Sequence, residues 1–427
     1  MIIYVVQNGD TVYSVAERYS VSPLRLASDN GLELWDTLVV GQTLVVLIPK
    51  TAYTILPGDT LYSIAEKFGT DVITLLRNNP QINNGYVLYP GSEIVIAYND
   101  TPLGTMLVNG YAYPYINNLT LRQTLPYLSS VIVFTYGIND NGTLISINDG
   151  NVISAAEEYG VTPVMLIATL NSEGVFSNEL AHNILNDEAK TEILIENITK
   201  NIIEKGYGGL DVDFEFVYPE DSDAYVNFVS RLAERLNPLG HPVIVALAPK
   251  TSDDQPGLLY EGHNYAELGA AANYVLLMTY EWGYTYSPPM AVAPINSVRR
   301  VLDYAITRIP PDKIFMGIPN YGYDWPLPYE KGITRATSIS NAEAVSIARR
   351  YGAEIMYDET VQSPYFNYTD ENGIAHEVWF EDARSIEAKL KTALEYGFAG
   401  VSYWNLDRPF PQNWLVVNNL YNIARFG

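Results

Sequence analysis

The chain has 427 residues, 48% of them hydrophobic, so it can fill sizeable cores and is long enough for more than one domain. Its 25 basic and 49 acidic residues give a formal net charge of −24, so we expect neither nucleic acids nor anionic membranes as partners, because both bind basic patches. The chain has no cysteine, which predicts no disulfide framework. Its four histidines do not have the spacing of metal ligands, so we expect no metal site and no cofactor.

Residues 1–7 have no charged start and no long apolar run, so we expect no ordinary signal peptide. No hydrophobic stretch of the sequence is long enough to span a membrane. The absence of cysteine agrees with the reducing interior of a cell and equally with a harsh exterior where free thiols are avoided. It therefore does not indicate the compartment.

A sequence repeat with an offset of 49 residues opens the chain: Tyr4–Tyr19 recurs as Tyr53–Phe68. Each copy has the pattern of a short strand, a Gly-Asp turn and a helix that Thr11 or Thr60 can cap. A second helix and a closing strand, at 43–48 or 93–97, complete each copy. The sequence therefore predicts two βααβ modules, at 1–49 and 50–98.

These modules resemble the LysM module, which binds glycans that contain N-acetylglucosamine. The resemblance implies glycan-binding positions at the turns and at one asparagine of each copy: Gly9, Asp10, Thr11, Asn30, Gly58, Asp59, Thr60 and Asn79. The aspartates and threonines among them fit helix caps better, in which case the surrounding loops would supply the sugar contacts. Two weak sites in tandem would raise occupancy on a repetitive polymer.

From about residue 105 the pattern changes to apolar runs that alternate with helical segments, such as 187–205 and 222–236. Runs this apolar are typical of parallel strands covered on both faces. Eight of them predict a (β/α)8 TIM barrel over 105–427. The eight runs are 106–113, 131–136, 161–169, 210–216, 243–248, 275–280, 314–319 and 400–404.

Three carboxylates alternate with apolar residues in the fourth of these runs. Because successive side chains of a strand point to opposite faces, Asp211, Asp213 and Glu215 share one face. Like charges on one partly buried face resist simultaneous ionisation, so at least one carboxyl should keep its proton near neutral pH and act as a general acid. A solvated sheet face, an oxygen-ligand site for calcium or magnesium and a two-carboxylate glycosidase site are the alternatives. The two glycines before the strand, Gly208 and Gly209, and the apolar residues on its opposite face favour a buried catalytic strand.

The predicted carboxyl ends of the strands, where barrel active sites lie, are rich in aromatic and acidic residues. Aromatic rings with a polar group suit the apolar faces and hydroxyl rims of sugars. The strand-end residues are Tyr111, Tyr113, Tyr136, Glu215, Met278, Thr279, Tyr280, Glu281, Asn320, Tyr321, Tyr403 and Trp404.

The segment Tyr207–Glu215 is similar to the signature strand of family 18 glycoside hydrolases. Met278–Glu281 resembles the sixth-strand motif of that family, Gly317–Gly322 resembles the seventh, and Trp404 lies where its last strand carries a sugar-platform tryptophan. With two LysM modules in front, the arrangement resembles the spore cortex-lytic N-acetylglucosaminidases of spore-forming bacteria. A LysM-anchored chitinase and a non-catalytic lectin remain the alternatives, and the presence of Glu215 favours an enzyme.

The family resemblance implies a role for each strand-end residue. Glu215 would protonate the glycosidic oxygen while the acetamide of the substrate attacks the anomeric carbon, so no enzyme nucleophile is needed. Asp213 would orient that acetamide, Asp211 would share a proton with Asp213, and Tyr280 would hydrogen-bond the acetamide carbonyl. The implied substrate contacts are Trp404, Met278, Glu281, Tyr321, Tyr111 and Asn320.

The resemblance also implies a small α+β insertion at about 321–397, with helices at 341–351 and 383–396, that walls one side of a glycan groove. Two departures from the family pattern carry expectations. Gly208 replaces the first Asp of the signature and should retune catalysis, and Glu281 replaces an Asp and should reach further toward the leaving sugar. We expect a monomer located in the spore coat, the spore cortex or the cell wall.

Overall fold

The computed structural model describes residues 1–82, 88–99, 101–171 and 173–426. The two N-terminal modules each fold as strand, helix, helix, strand. In the first, Thr11 caps its helix in a reciprocal capping box with Ser14, and Thr60 does the same with Ser63 in the second. The elements are β1 Ile2–Val5, α1 Val12–Tyr19, α2 Pro23–Asp29 and β2 Thr43–Val46, then β3 Pro49–Thr54, α3 Leu61–Phe68, α4 Val72–Asn78 and β4 Glu93–Tyr98.

The remainder of the chain forms a closed barrel. Its first seven parallel strands alternate with helices, and the short β7 pairs only with the end of β6. The strands are β5 Gly104–Ala112, β6 Ser130–Ile138, β7 Leu144–Ile145, β8 Thr162–Ala168, β9 Gly209–Asp213, β10 Val243–Leu247, β11 Tyr274–Leu277 and β12 Ile314–Pro319. The helices are α5 Asn118–Thr124, α6 Gly150–Tyr159, α7 Asn178–Leu185, α8 Glu188–Lys205, α9 Ser222–Leu236, α10 Tyr265–Ala271 and α11 Ile295–Ala305.

An antiparallel sheet with one helix is inserted after β12. The sheet has the strand order β14-β13-β17-β16-β15, and the helix begins after the N-cap Ser340. Its elements are β13 Gly322–Pro326, β14 Thr337–Ile339, α12 Asn341–Tyr351, β15 Met356–Asp358, β16 Ser363–Thr369 and β17 Ala375–Trp379.

The last barrel strand closes the ring by pairing with both β12 and β5, while β5 also pairs with β6. The closing elements are α13 Ala383–Glu395, β18 Gly400–Trp404, α14 Pro411–Leu420 and β19 Tyr421–Ile423. Helix α13 buries Ile386, Leu390 and Ala393 in the main barrel core, so by its packing it belongs to the barrel wall. The predicted TIM barrel with an α+β insertion and two preceding βααβ modules is confirmed.

Alternation along the strands divides the barrel core into two layers. One face of each strand packs against the helices, and the other fills the barrel interior with residues such as Ile132, Leu166 and Ile244. Phe426 closes the interior near the start of β11, with its ring 5.7 Å from that of Tyr274. Solvent therefore meets the interior at the carboxyl ends of the strands.

The first module is docked on the barrel and its insertion. Gln412 of α14 donates to the carbonyl of Thr43 at 2.7 Å and to Oδ1 of Asn30 at 3.1 Å. The loop before β2 meets the insertion, where the amide of Ile355 donates to the carbonyl of Val40 at 2.9 Å. A side chain at Gly41 would come within 1.8 Å of the carbonyl oxygen of Ile355. The module is thus held by backbone contacts that leave no room for a Cβ.

Candidate active site

The three carboxylates of β9 follow one another toward the open end of the barrel. Asp211 and Asp213 lie within β9 and are buried, and the half-buried Glu215 follows the strand. The intervening Val212 and Phe214 pack in the outer layer against the helices. The period of two along the strand therefore directs the acids inward and the apolar residues outward.

Asp211 is the innermost acid of this row. Its Oδ2 accepts a 2.6 Å hydrogen bond from the hydroxyl of Tyr111 in β5, across the barrel interior. Burial raises the pKa of Asp211 to about 7, and the Tyr111 hydrogen bond opposes the rise. Its Oδ1 has no hydrogen-bond partner among the described residues, so this oxygen is available to a proton shared with a neighbour.

The two outer acids influence each other's protonation. Burial raises the pKa of Asp213 well above its ordinary value, and the charges of Glu215 and Asp211 raise it further. Burial also raises the pKa of Glu215 to about 7, with a second contribution from the charge of Glu281. The row can therefore hold protons near neutral pH, which is the property required of a general acid.

A buried histidine fixes the backbone beside the outermost acid. The Nδ1 atom of His263 accepts from the amide of Ala248 at 3.0 Å, so Nε2 carries the proton and donates to the carbonyl of Phe214 at 3.0 Å. Burial lowers the pKa of His263 to about 4, so the ring is neutral. The sequence contains no signal for this role, because the partner carbonyl lies 49 residues away along the chain.

Tyr280 follows β11 and faces the carboxylate row. Burial raises the pKa of its hydroxyl well above the ordinary value, and the nearby charges of Asp213 and Glu215 add to the rise. The hydroxyl therefore stays protonated as a donor. A Cβ at Gly317 of β12 would lie 2.7 Å from Cε1 of Tyr280, so the glycine of the seventh-strand motif makes room for this ring.

Glu281 lies in the groove next to Tyr280 and has a left-handed backbone with φ of 67°. A non-glycine residue in this region carries strain that the surroundings must offset. The hydroxyl of Tyr321 donates to Oε1 of Glu281 at 2.5 Å, and that of Tyr323 donates to the same atom at 3.2 Å. Partial burial raises the pKa of Glu281, and these two hydroxyls oppose the rise. Tyr321, between β12 and β13, and Tyr323, in β13, thus hold the carboxylate.

Trp404 ends β18 with a half-buried indole that three aromatic rings support edge to face. The ring centroids lie 4.8 Å from Phe134, 5.5 Å from Tyr111 and 6.1 Å from Tyr113. Tyr113 also stacks on Tyr115, which is 78% exposed, at 5.1 Å. The indole is therefore rigid, and an aromatic strip extends from it to the rim. Phe134 lies in a predicted strand but was not among the predicted strand-end residues.

The strand-end residues do not all face the groove. Met278 is half-buried against the interior core, as Trp404 is, whereas Asn320 donates its amide to the carbonyls of Asn405 and Arg408, both at 2.8 Å. Asn320 therefore holds the loop after Trp404. The hydroxyl of Tyr136 donates to Asp149 near α6, away from the carboxylate row, because the register between β6 and β8 shifts between Val133 and Tyr136.

Gly208 also lies away from the row. A Cβ at this position would meet Cγ2 of Thr162 at 2.3 Å, on the strand face opposite the acids. The expectation that Gly208 retunes catalysis has no geometric basis, because no side chain there would point toward Asp211 or Asp213.

The residues predicted to bind glycan in the N-terminal modules make hydrogen bonds within those modules. Asp10 accepts from the amide of Gln7 at 2.8 Å, and Asp59 accepts from that of Leu56 at 2.7 Å. Asn79 is fully buried, and its amide joins α4 to β4, as that of Asn30 joins α2 to β2. Gly9 and Gly58 have positive φ angles in their turns, and Thr11 and Thr60 are caps. Sugar contacts at these eight positions stay a prediction.

Within the described ranges, no group of three or more His, Cys, Asp or Glu side chains has the arrangement of a metal site. In the same part of the chain, no helix combines the length and the apolar character needed to cross a bilayer.

Comparison with known proteins finds a match to the model of glycosyl hydrolases family 18 over residues 114–408. The model of the LysM domain matches residues 4–47 and 53–97. The cortical fragment-lytic enzyme of Bacillus subtilis (strain 168) is 40% identical over 431 residues, which cover 100% of this chain and 99% of that protein.

Solved structures agree with these matches. The spore cortex-lytic enzyme SleL of Bacillus megaterium QM B1551 superposes with a TM-score of 0.84 and 37% identity, covering 100% of this chain and 99% of that one. A chitinase from Chromobacterium violaceum ATCC 12472 has a TM-score of 0.69 and 28% identity, and it covers 74% of this chain and 98% of its own. Both similarities include the barrel that carries the carboxylate row.

Proposed function

Because this chain belongs to glycosyl hydrolases family 18, is a glycosidase and carries two LysM domains, we propose that it cleaves N-acetylglucosamine linkages in the peptidoglycan of the spore cortex. The observation that carries the proposal is the row Asp211, Asp213 and Glu215, in which burial favours protonation near neutral pH. The names of the full-length relatives, cortical fragment-lytic enzyme and spore cortex-lytic enzyme, support the choice of polymer. The spore cortex or the cell wall is accordingly its proposed location.

Glu215 is the proposed general acid. It lies at the open end of the row, half-buried, with a pKa raised to about 7, and so can donate a proton to a glycosidic oxygen in the groove. Asp213 lies one strand repeat deeper, where it can face the acetamide of the substrate. In this substrate-assisted scheme, the acetamide oxygen attacks the anomeric carbon as the Glu215 proton passes to the leaving oxygen. The resulting oxazolinium carries a positive charge that the carboxylate row offsets.

Tyr280 and Trp404 are the proposed positioning groups for the sugar. The Tyr280 hydroxyl keeps its proton and can donate to the acetamide carbonyl as that group turns toward the anomeric carbon. The rigid indole of Trp404 offers an apolar face on which a sugar ring can pack. A sugar without the acetamide lacks the nucleophile, so N-acetylated glycans are the proposed substrate class.

The LysM modules are proposed as anchors on the same polymer. Tandem weak sites increase the local concentration of enzyme on a repetitive glycan. The net charge of −24 gives no attraction to a wall rich in carboxylates, so the affinity would come from the module loops. Docking of the first module on the insertion would hold one such loop at a constant distance from the groove.

The test is to incubate the full chain with spore-cortex fragments and, separately, with chitin oligomers, and to identify the new reducing-end sugar by mass spectrometry. The proposal predicts N-acetylglucosamine ends from cortex with little action on chitin. Turnover of chitin alone would support the second candidate, a LysM-anchored chitinase, which the similarity to the Chromobacterium violaceum chitinase favours. Binding without turnover of either glycan would indicate a lectin.

A further inference from the structure

A half-buried cation lies on the wall of this acidic groove. Arg408 belongs to the loop after β18, four residues beyond Trp404, and its Cζ is 5.9 Å from the ring centroid of Tyr321. Its Nη1 donates to the carbonyl of Ile339 at 2.7 Å and to Oγ of Ser338 at 3.0 Å. One edge of the guanidinium is thus fixed on the insertion, so the side chain is held in place.

The other edge of the guanidinium has no protein partner in the described part of the chain. The hydrogen bonds of its guanidinium there come from Nη1, and no described carboxylate lies within ion-pair distance. The neighbouring Asp407 is near enough for the charge of Arg408 to oppose the rise that burial causes in the pKa of that carboxyl. Burial raises the pKa of Tyr113 on the β5 side and of Tyr323 on the insertion side, and the charge of Arg408 opposes both rises, so Arg408 lies between the two walls. A fixed guanidinium with unused donors is a ready partner for a carboxylate, which it can bind through two hydrogen bonds.

The remaining charges of the groove make this cation selective. Asp211, Asp213, Glu215 and Glu281 are carboxyls of the same groove, and Asp407 adjoins Arg408; in their ionised forms they repel an anionic ligand. A neutral glycan would need no compensation for this repulsion, whereas a carboxylate-bearing glycan would need a cation placed beside the sugar platform. Arg408 satisfies that requirement.

We propose that Arg408 binds a carboxylate carried by the sugar next to the cleaved linkage, and that it thereby selects carboxylate-bearing N-acetylated glycan over neutral glycan. The inference rests on the proposed glycosidase function and adds to it the charge of the substrate. Peptidoglycan, whose sugars carry peptides with free carboxylates, has this chemistry, and chitin does not.

The experiment compares one glycan in two charge states. Soluble cortex fragments are used as prepared, or after their carboxyls are coupled to methylamine with a carbodiimide, and kcat/KM is measured on both for the full chain and for Arg408→Gln. Arg335→Gln is the matched control, because Arg335 lies on the insertion, is exposed and packs over Tyr286 at 5.1 Å. We expect Arg408→Gln to lose about tenfold on the anionic fragments, as for one charge-assisted contact, and to match the parent on the neutralised ones. Arg335→Gln should match the parent on both.

Equal losses on the two fragment preparations would overturn the inference and assign Arg408 to holding the insertion, and an unchanged kcat/KM would overturn it as well. A melting temperature of Arg408→Gln within about 2 °C of the parent value would exclude partial unfolding as the cause of a selective loss. A partial recovery of kcat/KM on the anionic fragments in Arg408→Lys, which disappears at high salt, would support a charge contact. No turnover of either preparation by the parent would contradict the proposed function itself, which is a different result from parent activity that Arg408 does not affect.

Discussion

The hydroxyl of Tyr111 donates a 2.6 Å hydrogen bond to Oδ2 of Asp211 across the interior of the barrel. The other oxygen of Asp211, Oδ1, has no hydrogen-bond partner in the described part of the structure. The Tyr111 hydroxyl and the backbone amide of Val212 oppose the rise in the pKa of Asp211 but offset only part of the cost of burying a carboxylate. Ionisation of Asp211 therefore lowers the stability of the fold.

We predict that Asp211→Asn stabilises the fold at alkaline pH. The pKa of this carboxyl is about 7 in the folded chain and 3.8 as the ordinary value, so the folded state binds more protons between those pH values. Stability of the parent should consequently fall as pH rises from about 4 to about 7 and stay lower above it. Because Asn has no charge to bury, the free energy of unfolding of the variant should exceed that of the parent by ~1 to 4 kcal/mol at pH 8. The two free energies should be equal near pH 4. Urea unfolding at the two pH values measures the difference.

Asp149→Asn is the control for that prediction. Asp149 is also buried, but hydrogen bonds from Lys205, Tyr136 and Tyr207 outweigh burial and lower its pKa. Its contribution to stability is present above the ordinary pKa and lost as pH falls through the lowered one. Asp149→Asn should therefore destabilise the fold at pH 8. A loss of stability at pH 8 in Asp211→Asn as well would contradict the proposed cost of the carboxylate row.

Glu215→Gln should abolish turnover and preserve glycan binding. The amide keeps the shape of the side chain but has no acidic proton to transfer, so kcat should fall by about 10² to 10⁴. The dissociation constant for a non-hydrolysed oligosaccharide, measured by calorimetry, should stay within a factor of about three of the parent value. Parent-like turnover in this variant would show that another group protonates the leaving oxygen.

The charge of Glu281 should set the alkaline limb of the pH profile. With Glu215 as the proposed general acid, activity should be lost as pH rises through its pKa of about 7, which burial raises first and the charge of Glu281 second. In Glu281→Gln the pKa of Glu215 should decrease, so the alkaline limb of kcat/KM should move to lower pH. The amide oxygen can still accept from Tyr321 and Tyr323, which limits changes in geometry.

Glu281→Asp separates charge from length. The shorter side chain keeps the negative charge near Glu215, so the alkaline limb should stay closer to that of the parent than in Glu281→Gln. If the alkaline limb of kcat/KM were identical in the parent and in Glu281→Gln, Glu281 would not influence the pKa of Glu215.

Gly41→Ala should dislodge the first LysM module. Gly41 has φ of 85°, and its Cβ would lie 1.8 Å from the backbone oxygen of Ile355, which cannot move away as a flexible side chain could. Gly58→Ala in the second module is matched in backbone strain, with φ of 92° and no heavy atom within 4 Å of its Cβ. The control should cost ~1 to 2 kcal/mol from left-handed strain alone, and Gly41→Ala should cost clearly more.

Two measurements follow the consequences of Gly41→Ala. Calorimetric unfolding should show a lower melting temperature than in Gly58→Ala, and hydrolysis of insoluble glycan should decrease more than hydrolysis of short soluble oligomers. Equal stability of the two variants would mean that the contact between Gly41 and Ile355 is not close in solution.

Local patterns of the sequence predict many of the helices and strands and the carboxylate row. Helix Ser222–Leu236 has the bounds predicted from its helical pattern, and helix Asn341–Tyr351 has those that the family resemblance implied. The eight barrel strands were predicted from apolar runs bounded by turn residues. The alternation of Asp211, Asp213 and Glu215 likewise follows from the period of two, which any strand imposes.

Only the tertiary structure decided which strand-end residues face the groove and which hold it in place. Tyr111 and Tyr136 look alike in sequence, yet the first donates to Asp211 and the second, past a register shift, to Asp149. Asn320 ties down the loop of Trp404, and His263 holds the carbonyl of Phe214. Periodicity fixes the direction of a side chain relative to its own strand or helix. The partners it meets depend on segments tens or hundreds of residues away, whose placement is set by closure of the barrel and by packing.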